Sequence, residues 1–199
     1  MQNTLRFRFG SAFLMLAWLT MYALAASAQA GSGPASPDGQ HDFDWEIGTW
    51  KTELRRLAKP LSGSSEWVEY SGTSVIRKVL DGRANLVELR VEGPGGRIEG
   101  VSLRLYNPQA RQWSLNYASA RNGAMTQPVY GSFREGRGEF FGQDSLDGRA
   151  ILVRFVVSKM SDDSARFEQA YSVDGGRTWE TNWVAVDRRV TSVQMSEKR

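Results

Sequence analysis

The sequence predicts an all-β fold, an up-and-down antiparallel β-barrel of about ten strands. Turn signals recur at nine places and leave no room for helices between them, and the intervening runs are rich in β-branched and aromatic residues. Closure into a barrel removes the two exposed edges that a meander of this kind would otherwise have. The turns are Lys59-Pro60 with Ser62-Gly63, Asp81-Gly82, Gly93-Pro94-Gly95-Gly96, Asn107-Pro108, Arg121-Asn122-Gly123, Glu135-Gly136, Asp147-Gly148, Ser161-Asp162-Asp163-Ser164 and Asp174-Gly175-Gly176.

The first thirty residues have the three parts of a secretory signal peptide. Arg6 and Arg8 form a short positive segment, residues 9–26 are apolar, and Ala28-Gln29-Ala30 is a cleavage site. An uncleaved anchor is disfavoured because polar residues interrupt the apolar run, whereas a spanning helix needs about 20 predominantly apolar residues. We therefore expect a bacterial periplasmic or secreted protein, cleaved near Ala30 and not stably inserted in a membrane. Loss of two arginines lowers the formal net charge from +3 to +1, which disfavours nucleic-acid binding.

Composition limits the chemistry and the domain organisation. The chain has no Cys and a single His, His41, which excludes disulfides, thiol nucleophiles and Cys-ligated metal centres. Residues 31–40 are Gly, Ser and Pro-rich and predict a disordered linker, and the polar residues 191–199 predict a disordered tail. The barrel domain is accordingly predicted over residues 41–190, stabilised by closure and packing alone. No metal ion, cofactor or catalytic residue is predicted.

The N-terminal segment of the domain predicts a short helical turn that leads into the first strand. Asp42 is placed to cap this turn and Gly48 to end it. Gly48-Thr49-Trp50 then opens the first strand, where glycine permits close backbone approach and the indole fills the barrel end. This arrangement resembles the start of the lipocalins and their relatives, the calycins. In lipocalins a basic residue near the last strand packs over that tryptophan, so the resemblance offers Arg188 or Arg189 for this role.

The resemblance extends over residues 41–190, which look like a group of secreted bacterial lipocalin-like proteins classed as a domain of unknown function. The matching segments are 43–45 with 48–50, 102–107 with 112–114, 129–133 and 168–183. The resemblance implies the calycin fold, export and a ligand carrier, and it implies no reaction. The resemblance does not extend to the haem site of the nitrobindins, which are also calycins. Their haem-ligating His lies late in the chain, whereas the only His here is His41.

Alternation along the strands predicts which residues face inward. Val87, Leu89 and Val91 share one face of a strand, and the charged residues Glu88, Arg90 and Glu92 share the other. Such charges on an outer face disfavour an outer-membrane barrel, where they would face lipid. A second strand presents a face that mixes apolar and polar groups, as a ligand cavity would. Its residues are Val68, Tyr70, Gly72, Ser74 and Ile76.

The last predicted hairpin carries a motif similar to the Asp-box of carbohydrate-active propellers. The pattern is Ser172-x-Asp174-x-Gly176-x-Thr178-Trp179. In this motif the Asp and Ser side chains bond the turn backbone, Gly supplies a positive φ and Trp packs the hairpin against its neighbours. Because the motif occurs once, it does not indicate a propeller. We interpret it as a structural staple between the last two strands rather than as a sugar site.

A barrel of about ten strands is wide enough to hold a ligand cavity. Arg104 and Arg154 lie within apolar strand runs, and a guanidinium that faced the lumen would need a carboxylate or an anionic ligand. An outward orientation of either side chain fits the sequence equally well. The residues predicted to contact a ligand are Tyr70, Arg104, Tyr106, Trp113, Tyr117, Arg154, Gln169 and Trp183.

These patterns predict an exported binding protein whose lumen takes a small hydrophobic or amphipathic ligand, which can be anionic. One alternative is a hydrolase or isomerase that uses Tyr, Glu and Arg groups in the same lumen. It requires a buried carboxylate or Tyr with a shifted pKa beside the cavity. Another alternative is an interaction module, which requires a large exposed apolar patch. The sequence does not predict the ligand's identity or the oligomeric state.

Overall fold

The computed structural model describes residues 38–191. The predicted signal peptide at 1–30, linker residues 31–37 and tail residues 192–199 lie outside the described residues, so these assignments stay predictions. The strands are β1 (Gly48–Leu57), β2 (Trp67–Val79), β3 (Ala84–Gly93), β4 (Gly96–Asn107), β5 (Gln112–Ser119), β6 (Ala124–Met125), β7 (Val129–Arg134), β8 (Arg137–Leu146), β9 (Arg149–Ser161), β10 (Ser164–Ser172) and β11 (Glu180–Arg189). Two short 3₁₀ helices span Asp44–Glu46 and Leu80–Gly82.

The strands form one antiparallel sheet that closes on itself. Its order is β4-β3-β2-β1-β11-β10-β9-β8-β7-β5-β6, and β4 also pairs with β5. The first strand therefore pairs with the last, as Trp50 opposite Arg189 shows. Ten long strands build the wall, and the two-residue β6 adds only to the edge of β5. The predicted up-and-down barrel of about ten strands is confirmed.

The tight hairpins have the backbone geometry that their sequences predict. Asp147 and Gly148 both have positive φ, 51° and 79°, and Glu135 and Gly136 have 51° and 77°. Two-residue turns of type I′ require positive φ at both central positions, and their twist matches that of the flanking strands. The local turn chemistry thus sets the spacing of the strands around the barrel.

The predicted alternation of β3 is also confirmed. Val91 is buried and Leu89 packs beside it, while Glu88 and Arg90 form an ion pair on the outer face. The same period of two places Tyr70, Ser74 and Ile76 of β2 on the buried side. Polar groups such as Ser74 thereby enter the interior of the barrel.

Aromatic side chains fill one end of the barrel. Phe43 is buried and meets Trp113 and Phe133 edge to face, with ring centroids 5.0 and 4.7 Å apart. Phe140 stacks beneath it at 5.8 Å, and the indole of Trp113 donates a hydrogen bond to the carbonyl of Gly39. Dense packing here leaves the open volume of the barrel in its middle and at the opposite end.

Trp50 joins this closed end to the last strand. Its indole N–H donates to the carbonyl of Glu46 at 2.7 Å, and the guanidinium of Arg189 lies 4.1 Å from the ring centroid. Arg189 also donates to the carbonyls of Trp45 and Ile47. Arg189, rather than Arg188, is therefore the basic residue over Trp50. A Cβ on Gly48 would lie 2.8 Å from the Arg189 guanidinium, which favours glycine there.

The short helix before β1 differs from its prediction at the N-cap. It spans only Asp44–Glu46, Phe43 occupies the cap position and no side chain caps it. The prediction that Asp42 caps the turn is wrong, because backbone bonds close this 3₁₀ turn. The N–H of Asp44 donates to the carbonyl of His41, and that of Glu46 to Phe43. Neither 3₁₀ helix in residues 38–191 is long and apolar enough to cross a membrane.

Side chains hold the loop that joins β10 to β11. Ser172 accepts a hydrogen bond from the N–H of Gly176 and donates to the carboxylate of Asp174. Asp174 in turn accepts from both the N–H and the hydroxyl of Thr178, and these bonds lower the pKa of its carboxyl group. The indole of Trp179 donates to the carbonyl of Gly176. The loop is thus fixed by its own polar side chains.

Candidate functional site

The candidate site is the cavity inside the barrel. Its volume is about 370 Å³, within the range of roughly 300–1,000 Å³ that is usual for ligand pockets. Polar groups lie near the aromatic end and near the opposite, open end, with an apolar zone between them. We call the polar groups at the aromatic end the floor. The apolar wall comprises Leu54, Leu57, Ile76, Val87, Leu89, Ile98, Leu115, Val129, Val153, Phe155, Phe167 and Ala185.

A buried ion pair occupies one side of the floor. Glu46 of the first 3₁₀ helix and Arg104 of β4 are 7% and 6% exposed, and the guanidinium donates to the Glu46 carboxylate. The same guanidinium lies 4.2 Å from the ring centroid of Phe43. Removing either partner would leave the other charge buried and unpaired. Arg104 is therefore neutralised by the protein itself, before any ligand arrives.

A chain of hydroxyl groups occupies the other side of the floor and ends on a carboxylate. The hydroxyl of Thr52 donates to Asp187 at 2.5 Å and lies 2.7 Å from the hydroxyl oxygen of Ser74. Burial raises the pKa of Asp187 to about 6, an effect that nearby Glu46 reinforces and the Thr52 bond opposes. A buried carboxylate of this kind is also what the hydrolase or isomerase alternative requires, so the cavity keeps that alternative open.

We expect the stability of the protein to depend on pH through Asp187. Its pKa in the folded state is about 6, against an ordinary value of 3.8. The fold thus favours the protonated form, and this contribution is present below pH 3.8 and lost as the pH rises through 6. Asp187→Asn stays neutral, so it should become more stable than the wild type at neutral pH by up to about 3 kcal/mol.

Urea unfolding of both proteins between pH 4 and 8 measures this difference. Asp162→Asn is a control of opposite sign, because Lys159 lowers the pKa of exposed Asp162. Its effect should be small, and it should appear as lost stability at neutral pH. Parallel pH curves for the wild type and Asp187→Asn would show that Asp187 ionises in the fold as it does in the unfolded chain.

Polar side chains form a second group higher on the wall. The amide of Gln169 donates to the hydroxyl of Tyr171 at 2.9 Å and to the amide oxygen of Asn182 at 2.8 Å. A register shift in the pairing of β10 with β11 between Gln169 and Ala170 lets adjacent Asn182 and Trp183 both line the cavity. Burial raises the pKa of Tyr171, so its phenol stays protonated.

Arg56 lies near this second polar group. It lines the cavity from β1, and its charge acts on both Tyr117 and Tyr171, opposing the rise in their pKa values. Within residues 38–191 its guanidinium forms no ion pair with a carboxylate, in contrast to Arg104. The wall therefore presents the Arg56 guanidinium with phenol groups beside it.

The structure divides the residues that were predicted to contact a ligand. Arg104, Tyr117, Gln169 and Trp183 line the cavity. Trp113 lies in the aromatic end with Tyr106, at a centroid distance of 5.3 Å, and Tyr70 packs with Leu54 and Val91. Arg154 lies outside, 4.8 Å from the ring centroid of Trp179, because Val153 and Phe155 on either side of it face the lumen. A role in binding stays a prediction for all eight residues.

Sequence reasoning missed several lining residues. Arg56 continues the inward alternation of Trp50, Thr52 and Leu54, so the period of β1 could have found it. Tyr171 follows Gln169 by two positions and shares its face in the same way. Asp187 follows Trp183 and Ala185 on the inner face of β11, so the same alternation could have placed it inside. Its bond with Thr52 could not be found in this way, because that contact joins distant segments.

Comparisons with known proteins support the fold. An S-type phycobiliprotein lyase from Guillardia theta matches with a TM-score of 0.52 and 14% identity, over 77% of this chain and 93% of that chain. A de novo designed fluorescence-activating β-barrel matches with a TM-score of 0.41 and 15% identity, over 74% and 95%. No family model and no curated protein matches the chain. At these identities the lyase shows a shared lipocalin-like barrel fold and nothing of activity.

Proposed function

We propose that the protein is an exported binding protein that holds a small amphipathic, anionic ligand in the barrel lumen. The observation that carries this proposal is the contrast between two inward arginines. Arg104 is paired with Glu46, whereas Arg56 has no carboxylate partner in the described residues. A guanidinium at the edge of an apolar cavity is stabilised by an anionic group that it can bind through several hydrogen bonds.

The shape and lining of the cavity fit such a ligand. Between the two polar groups the wall is apolar, formed by side chains such as Leu89, Leu115 and Phe167. An apolar chain would replace water there, while a carboxylate would reach Arg56 with Tyr117 as a further hydrogen-bond donor. Two further arginines, Arg97 and Arg121, and two carboxylates, Glu99 and Asp144, line the open end of the cavity. Together with Arg56 these side chains give the open end a net charge of +1.

Fold and signal sequence lend further support. The phycobiliprotein lyase has a barrel of the same kind, although its name describes that protein and not this chain. Export rests on the predicted signal peptide at residues 1–30, and secretion of the full-length chain with cleavage near Ala30 tests it. A protein that accumulated uncleaved in the cytoplasm of its native host would contradict this part of the proposal.

Arg56→Gln should weaken the binding of a saturated long-chain carboxylate by about tenfold to thirtyfold, because it removes a charge-assisted hydrogen bond from a partly buried site. Arg55→Gln is the matched control. Its side chain lies one position away on the outer face, 4.9 Å from the ring centroid of Trp67. Isothermal titration calorimetry on the three proteins compares the affinities. Equal losses in the two variants, or no loss in Arg56→Gln, would contradict the proposed anchor.

A further inference from the structure

The floor of the cavity is chemically different from the upper wall. We propose that the floor is a second ligand subsite, which binds a hydrogen-bond donor at the far end of an elongated ligand whose anionic group lies against Arg56. The donor is a hydroxyl group or a protonated amine. This inference rests on the proposed function, since it names the second end of the same ligand.

The direction of the hydrogen bonds at the floor carries the inference. Thr52 has one hydroxyl proton, and in the bond to ionised Asp187 that proton is used. Ser74 must then donate to Thr52, so its own proton is used as well. Both residues are buried, at 1% and 6% exposure. What they and Asp187 retain are lone pairs, so this side of the floor, unlike the side with the Glu46–Arg104 ion pair, offers acceptors to the cavity.

The charges at the floor lead to the same conclusion. The ionisable groups around Asp187 are Glu46 of the first 3₁₀ helix and Arg104 of β4, and Arg104 is bound to Glu46. Across the sheet the register partners of Asp187 are Thr52 and Ala165, which carry no charge. Two carboxylates thus share one guanidinium. A hydroxyl or ammonium group would provide the missing donor to the second carboxylate.

The spacing of the two polar groups sets the length of the ligand. Thr52 and Arg56 lie four residues apart on the inner face of β1, which corresponds to about 13 Å along a strand. Leu54 lies between them and contributes to the apolar wall. The ligand is therefore an elongated molecule with an apolar middle and two different polar ends.

Protonation of Asp187 would reverse the direction of the hydrogen bonds at the floor. A protonated carboxyl can donate to Thr52, Thr52 can then donate to Ser74, and Ser74 is left with a proton for the cavity. The geometry of the chain is the same in both directions. Because burial raises the pKa of Asp187 to about 6, preference for a donor should be strong at pH 8 and weak at pH 5.

The test is calorimetric titration with saturated carboxylic acids of about ten to fourteen carbons, a series that brackets the spacing along the strand. Each acid is compared with its ω-hydroxy and ω-amino counterparts at pH 8 and pH 5. In the wild type at pH 8 we expect at least one ω-substituted acid to bind about fivefold to tenfold more tightly than the methyl-ended acid. The two ω-substituted series identify whether the donor is a hydroxyl or an ammonium group.

Variants locate the donor at the floor. Asp187→Asn should bind methyl-ended and ω-substituted acids about equally, whereas Asp144→Asn, which removes a carboxylate at the other end of the cavity, should keep the preference. Ser74→Ala is the second variant, should Asp187→Asn fail to fold. It removes a hydroxyl oxygen that lines the cavity and can accept from the ligand's donor, so it should reduce the preference at least twofold.

The outcomes separate this inference from the proposed function. Binding of the methyl-ended acids that depends on Arg56, with no gain from either ω group, overturns the floor subsite alone. A gain that survives in both Asp187→Asn and Ser74→Ala overturns it as well, because the donor then lies elsewhere. If none of the acids binds, the proposed function and the floor subsite are both wrong.

Discussion

Trp50→Ala should lower the free energy of unfolding by about 4 kcal/mol, because a fully buried indole is removed from a site that cannot collapse. The ring lies between the first 3₁₀ helix and the last strand, 6.5 Å from the ring centroid of Trp45. Its loss also leaves the carbonyl of Glu46 without the indole donor and Arg189 without the ring that it covers. The closed end of the barrel would thus lose contacts to both the 3₁₀ helix and the last strand.

Two further variants separate packing from hydrogen bonding at this position. Trp50→Phe keeps an aromatic ring and loses the N–H donor, so its free energy of unfolding should lie between those of the wild type and Trp50→Ala. Trp67→Ala removes a half-buried indole at the start of β2, opposite the far end of β1, and should lower the free energy of unfolding clearly less than Trp50→Ala does. Urea denaturation followed by circular dichroism measures all three. A loss in Trp50→Ala no greater than that in Trp67→Ala would contradict the central position of Trp50.

Local patterns in the sequence predicted most of the fold. The Gly-containing turns prescribe positive φ, as Asp147-Gly148 shows, and so set the number and order of strands. Val87, Leu89 and Val91 could be placed inside because alternation with a period of two is visible within one strand. Trp50 could be placed at the closed end of the barrel because it follows the helical turn and Gly48 directly in the sequence. Each of these features depends on residues close together in the chain.

The candidate site was predicted less well because its contacts join distant segments. Thr52 and Asp187 are separated by 135 positions, and Glu46 and Arg104 by 58. Arg104 and Arg154 look alike in sequence, and only the register of the closed sheet places one inside and the other outside. Whether a charged side chain is paired, as Arg104 is, depends on a residue that no local pattern identifies.

Replacing both Glu46 and Arg104 should lower the free energy of unfolding only slightly, whereas replacing either one alone should lower it strongly. Glu46→Met leaves the Arg104 guanidinium buried without a carboxylate, and we expect a loss of about 3–5 kcal/mol. Arg104→Met should also destabilise the fold, because it leaves the Glu46 carboxylate buried without its guanidinium partner. In the double variant no charge is left unpaired, so its loss should be about 1–2 kcal/mol, smaller than either single loss.

Urea unfolding of the wild type, the two single variants and the double variant measures these losses. The pH dependence of the free energy of unfolding gives an independent readout for each protein. Glu46 raises the pKa of Asp187 and Arg104 lowers it. In Glu46→Met the titration of Asp187 should therefore shift to lower pH, and in Arg104→Met to higher pH. Additive losses in the double variant, with Asp187 titrating alike in all four proteins, would mean that the three groups do not interact. Opposite shifts would show instead that they share one electrostatic environment, because each single change then alters the charge that Asp187 experiences at the floor.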